Sequence, residues 1–338
     1  MAPRRYGSGN LSCSSYAFES DTPRIDVAFS ALYLIVSIAL FFVATRRFGQ
    51  SKKHGQPVAG SIWLCLALIF AILCYIATIV ITVLQECDTL STRYYFPAWT
   101  VSIWLWQLSS YILTAVILTS ICRKLQNEFA RVQQSILTLQ TGGAALLGVI
   151  VVAYLGLTTA IYHYTSYYNG RTASLAEAQR GLRMTALTLS VACMLLASAT
   201  MYRALFQAPV YLRSKSIETG TIALILSALG YTATDLGGYV QLVFIYGRLS
   251  GTADYNAYLR SSYAISFIAS FFYSVAFYAA IRVASYRSQP AATTSNVISD
   301  PYAAPPPLRF TTDPSQLQTG YAQSPEYSHN HGYPYQGR

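Results

Sequence analysis

Apolar runs with at most one charge recur along the chain at 27–45, 58–85, 98–122, 140–162, 184–206, 219–246 and 262–281. A helix needs about 20 residues to cross about 30 Å of hydrocarbon, and each run has roughly that length or more. The pattern predicts an all-α membrane protein, with seven transmembrane helices forming a bundle over residues 27–285. An outer segment, 1–26, precedes the bundle and a disordered tail, 286–338, follows it. No earlier apolar stretch with a small-residue cleavage site stands before the first run, so that run is expected to remain as a span. The sixth run is the exception in quality, because Asp235 interrupts it.

Composition agrees with this plan. Of 338 residues, 53% are apolar and only 11% charged, whereas soluble chains are about a quarter charged. The net charge of +10 follows the loops. Cytoplasmic loops retain Lys and Arg, and Arg46, Arg47, Lys52 and Lys53 follow the first run directly. The N-terminus is therefore expected outside and the C-terminus in the cytoplasm. This alternation places fourteen of the 23 basic residues, including all four Lys, on the cytoplasmic side. Positive charge that tracks topology in this way gives no indication of nucleic-acid binding.

Two features of the outer segments fit that orientation. Asn10-Leu11-Ser12 is an N-glycosylation sequon. Cys13 and Cys87 both fall in the oxidising compartment, where either a disulfide or two separate thiols is open to them. Cys65, Cys74, Cys122 and Cys193 lie in or beside spans, where Cys usually acts as a small hydrophobe.

Between the third and fourth runs, Leu125, Phe129, Val132, Ile136 and Leu139 recur at helical spacing among polar residues. This amphipathic stretch, 123–139, reads as interfacial packing or, together with the tail, as a docking face for a cytosolic protein. Ser174-Leu175-Ala176-Glu177 has capping-box spacing and predicts a helix from about Leu175 to Phe206 that projects beyond the membrane. The tail holds eight of the thirteen Pro and is too polar to bury a core. Ala304-Pro305-Pro306-Pro307-Leu308-Arg309 has polyproline II character.

The candidate chemistry centres on Asp235. A carboxylate near the bilayer midplane costs roughly 2.5–3.5 kcal/mol even on insertion scales, so such a residue is expected to face the bundle interior. Tyr231, Asp235 and Tyr239 are spaced by four and share one helix face, which brings two phenols within reach of the carboxyl. Gln107 and Tyr111 form a second polar stripe in the third span, the expected interhelical partner of Asp235. These five residues are the candidate ligand site. Many Tyr and Trp cluster toward the outer membrane face, as an interfacial belt or the wall of a vestibule.

Catalytic and metal signatures are absent from the sequence: no His-Glu-x-x-His, no Gly-x-Ser-x-Gly and no second mid-membrane carboxylate. No cofactor is expected, and the chain reads as non-enzymatic. Seven helices with an outer N-terminus resemble heptahelical receptors in architecture alone. The third span ends Ile121-Cys122-Arg123-Lys124 rather than Asp-Arg-Tyr, and the seventh lacks Asn-Pro-x-x-Tyr and any Lys. The reading is a receptor-like or sensor protein in the lipid bilayer, more readily the plasma membrane than an internal one, that binds a small molecule among its helices. A transporter or lipid-handling protein is the alternative, and a membrane scaffold the second.

Overall fold

The computed structural model describes residues 13, 17–19, 21–53, 60–87, 92–129, 133–168, 173–207, 215–245 and 252–286. The elements are α1 (Asp21–Lys53), α2 (Ser61–Glu86), α3 (Thr92–Val116), α4 (Cys122–Phe129), α5 (Gln134–Tyr168), α6 (Ala173–Gln207), α7 (Lys215–Val240) and α8 (Thr252–Ala284). A turn of π-helix, Ile117–Ile121, joins α3 to α4, and another, Gln241–Ile245, extends α7. No strand occurs among the described residues. These elements belong to one compact unit, residues 1–288. The rest of the chain, including the Pro-rich segment 304–309, lies outside the described residues, as does the sequon at Asn10.

Six of the helical stretches among the described residues are long and apolar enough to cross a membrane: Asp21–Ser51, Ser61–Glu86, Tyr95–Phe129, Gln134–His163, Ser174–Gln207 and Arg260–Ala284. The chain is thus a multi-pass, all-α membrane protein. Helix α7, expected as a further span, falls outside that set. Its 26 residues would reach about 39 Å, but Asp235 and its hydroxyl-bearing neighbours, Thr221, Ser227, Thr232 and Thr234, dilute its hydropathy.

The helices close into a ring. Helix α1 packs on α2, α2 on α3, α3 on α5, α5 on α6, α6 on α7, α7 on α8, and α8 returns to α1. Past the π turn, α4 continues the α3 stretch and packs on α6. Helices in lipid gain little from apolar burial, so association depends on close packing of small residues. Ala44, Ala67, Ala71, Ala197, Ala276 and Ala280 are fully buried at the contacts, while Ile35, Phe42, Ile62, Val149 and Leu226 face outward with more than 60% of their surface exposed. This distribution suits a bundle whose solvent is hydrocarbon.

Buried hydroxyls and one cation add directional ties. The Ser109 hydroxyl donates to the Ala67 carbonyl and lies 2.5 Å from the Tyr273 hydroxyl, tying α3 to α2 and α8. Gln140 Nε2 donates to Thr200 Oγ1 at 2.8 Å, joining α5 to α6. Lys124 Nζ donates to the carbonyls of Ala284 and Tyr286, each at 2.8 Å, so the end of α8 is capped from α4. A disulfide joins Cys13 to Cys87, fixing the segment before α1 to the end of α2.

Three expectations change. The amphipathic stretch 123–139 is two helices, not one: Leu125 and Phe129 are buried in the core from α4, whereas Ile136 and Leu139 belong to α5, with Leu139 61% exposed. The stretch is thus shared between two elements, and residues 130–132 between them lie outside the described residues. Helix α6 begins at Ala173, which puts Ser174 inside the first turn rather than at the cap. Helix α1 begins at Asp21, so Asp21, Arg24 and Asp26 belong to the helix and not to a preceding segment.

Candidate functional site

A cavity of about 470 Å³ occupies the half of the bundle that carries the disulfide. It extends from Tyr231 and Ser270, mid-helix, to Asp26, Leu242 and Ser261 near the helix ends. That volume lies within the roughly 300–1,000 Å³ typical of small-molecule sites.

A relay of aromatic rings from five helices builds its inner end. Tyr33 of α1 stacks on Tyr75 of α2 at 6.2 Å, and Tyr75 meets Trp106 of α3 edge-on at 5.9 Å. Trp106 lies 4.8 Å from Tyr273 of α8, which lies 5.2 Å from Tyr231 of α7. Tyr273 is fully buried and packs behind the lining against Trp106 and Tyr231. Hydrogen bonds hold the rings in place: Tyr33 Oη donates to the Phe267 carbonyl at 2.8 Å, and Tyr231 Oη pairs with Ser110 Oγ at 2.7 Å. Offset and edge-on ring pairs of this kind give a stiff apolar surface.

Charge enters from three residues. Asp235 of α7 lines the wall and interacts electrostatically with Arg183 of α6, which lines it too. The Arg183 guanidinium carbon lies 4.6 Å from the centre of the Tyr239 ring, a cation–π distance. Its Nε is buried and has no hydrogen-bond partner among the described residues. Asp26 of α1 stands near the helix ends and accepts a bond from Tyr263 Oη at 3.4 Å. The cavity therefore offers two carboxylates, one guanidinium and a polarisable aromatic wall.

Of the five sequence candidates, Asp235, Tyr231, Tyr239 and Gln107 line this cavity. Tyr111 does not: it turns toward α5, donating to the Ala144 carbonyl at 3.2 Å and packing on Gly148. One helical turn rotates it away from Gln107 far enough to reach a different neighbour. The phenols of the Asp235 stripe also have other partners. Tyr231 bonds Ser110, and Tyr239 Oη donates to the Arg180 carbonyl at 3.3 Å. The charge facing Asp235 is Arg183 and not the Gln107 stripe.

Arg183, Asp26 and Trp106 were not legible as site residues. Arg183 and Asp26 each lie one residue outside an apolar run, so the hydropathy pattern assigns them to outer segments although both helices continue through them. A signal for the wall of α3 does exist, since Trp99, Ser102, Ile103 and Trp106 recur at three- and four-residue steps and all line the cavity. Among the described residues no cluster of His, Cys, Asp and Glu has the makings of a metal site. Comparison with family models, curated proteins and solved structures finds no match to this chain.

Proposed function

We propose that this chain is a receptor-like or sensor protein, non-catalytic, with α7 as its additional span. In this reading it takes up a small molecule into the cavity from the disulfide-bearing face. The observation that carries the reading is the placement of Asp235 and Arg183, from the adjacent helices α7 and α6, in the wall of an aromatic-lined cavity. A buried charge pair is costly in lipid, and an aromatic wall beside it suits an amphipathic ligand with a polar or cationic group and a flat apolar body. The Cys13–Cys87 disulfide supports an outer location for that face, and the plasma membrane suits an outward-facing site. A transporter would use the same cavity with broken helices; α7 stays helical through Gly237 and Gly238 to Val240, which favours the receptor reading.

The test is a thermal-shift screen of detergent-purified protein against organic ammonium ions, aromatic carboxylic acids and sterol-like compounds. At least one class should raise the melting temperature of the wild type and fail to do so in Asp235→Asn. If no class stabilises the wild type, or Asp235→Asn responds equally, the ligand-binding role fails. Glycosylation at Asn10 and cytosolic protease access to the tail test the orientation, and the reverse pattern would overturn it.

A further inference from the structure

A second cavity, of about 280 Å³, lies at the other end of the bundle, and its lining is basic. Arg47 of α1 and Arg282 of α8 line it, with Ser216, Ile217 and Gly220 from the first turns of α7 and with Ser285 and Tyr286 from the end of α8. Among the described residues no carboxylate lines it. Glu218, on the same turn of α7, lies outside the lining.

Arg282 Nη2 donates to Ser216 Oγ at 3.1 Å, which uses one of its five N–H donors. Arg47 has no hydrogen-bond or ion-pair partner among the described residues. The amides of the first turn of α7 add partial positive charge on the same side. The carbonyls at the end of α8 would oppose this, but Lys124 takes those of Val283, Ala284 and Tyr286 from the inner side. Ser285 Oγ takes that of Ile281 at 2.7 Å. What faces the cavity is therefore a pair of guanidiniums and a helix start, with the neighbouring helix end already neutralised. Lys52 and Lys53 follow at the same end of α1, and Lys215 opens α7. Guanidinium pairs favour bidentate contacts with phosphate, and basic clefts between helices at the cytoplasmic membrane surface are suited to phosphorylated lipid headgroups.

We propose that this cavity binds a phosphate-bearing anion, held between Arg47 and Arg282 against the start of α7. The chemistry is that of a phosphorylated lipid headgroup or a soluble phosphate ester. The site stands independently of the ligand assigned to the larger cavity.

The test is native mass spectrometry and thermal shift on the full chain in detergent, with four probes: phosphatidylinositol bisphosphate, phosphatidylcholine, inositol trisphosphate and inorganic phosphate. The wild type should retain the bisphosphate lipid over phosphatidylcholine. Arg47→Gln with Arg282→Gln should lower that retention at least about tenfold, while Arg46→Gln, an exposed neighbour, should leave it unchanged. Binding of inositol trisphosphate or inorganic phosphate, lost in the double variant, identifies a soluble anion as sufficient. Binding of the lipid alone identifies the membrane as the source. Equal retention by wild type and double variant, or an equal loss in Arg46→Gln, overturns the proposal. If the double variant does not fold, hydrogen exchange on the wild type decides. The bisphosphate lipid should slow exchange at residues 215–220 relative to phosphatidylcholine, and no slowing overturns the site.

Discussion

The guanidinium carbon of Arg183 in α6 lies 4.6 Å from the centre of the Tyr239 ring in α7, so a cation from one helix rests on the face of the next while interacting with Asp235 of that same neighbouring helix. The pair should behave as a unit. Arg183→Gln leaves the Asp235 carboxylate without its counter-charge, and Asp235→Asn does the converse. We expect each to destabilise the protein, and the double variant to be less damaged than the sum, with a coupling of about 0.5–3 kcal/mol. Unfolding in mixed micelles with increasing sodium dodecyl sulfate measures this; strictly additive effects would show that the two charges do not interact.

Lys124 caps the end of α8, with Nζ 2.8 Å from the Ala284 oxygen. It also forms an i,i+4 ion pair with Glu128 at 4.0 Å. Lys124→Met retains most of the stem but leaves those carbonyls and the Glu128 carboxylate without the ammonium. A loss of about 2 kcal/mol follows from the usual worth of a charged hydrogen bond, read as a lower melting temperature. An unchanged melting temperature would mean that water satisfies these groups equally well.

Several glycines are fixed by contact, Gly60 and Gly148 among them. Gly60, before α2, has φ +72°, and a Cβ there would lie 2.9 Å from Val116 Cγ1 and 3.1 Å from Ser120 Cβ. Both the left-handed backbone and the contact oppose a side chain. At Gly148, a Cβ would lie 2.8 Å from Tyr111 Cζ. Gly60→Ala and Gly148→Ala should each cost about 1–3 kcal/mol, whereas Gly156→Ala, which meets nothing within 4 Å, should be neutral or slightly stabilising. If Tyr111→Ala restores Gly148→Ala, the clash is the cause; failure to restore it would place the cost elsewhere.

The disulfide closes a separation of 74 residues. Cys13→Ser should lower stability by about 2–4 kcal/mol. Maleimide tagging of denatured, unreduced protein should count four thiols, from Cys65, Cys74, Cys122 and Cys193, and six after reduction. Six tags before reduction would show that Cys13 and Cys87 are not joined.

How much of this was readable beforehand differs by feature. Apolar runs of about 20 residues report the thickness of the surrounding lipid, a property of the medium that each segment meets on its own. The all-helical membrane class, six of the spans and the inward face of α7 bearing Tyr231, Asp235 and Tyr239 could thus be read locally. Charged helix ends are not local in this sense. Arg183 and Asp26 extend their helices beyond the apolar run, and only the packing of α6 and α1 against their neighbours brings them to the cavity.

The sequence by itself determined that the chain lives in a bilayer and which residues share a helix face, because spacing along a helix and length against hydrocarbon are one-dimensional quantities. The tertiary structure decided which faces meet. It turned Tyr111 to Gly148 instead of Gln107, gave Asp235 an arginine from α6, and brought Arg47 and Arg282 to one cavity from opposite ends of the chain. Each of these depends on helix rotation and crossing, which are set by which small residues allow close approach in three dimensions.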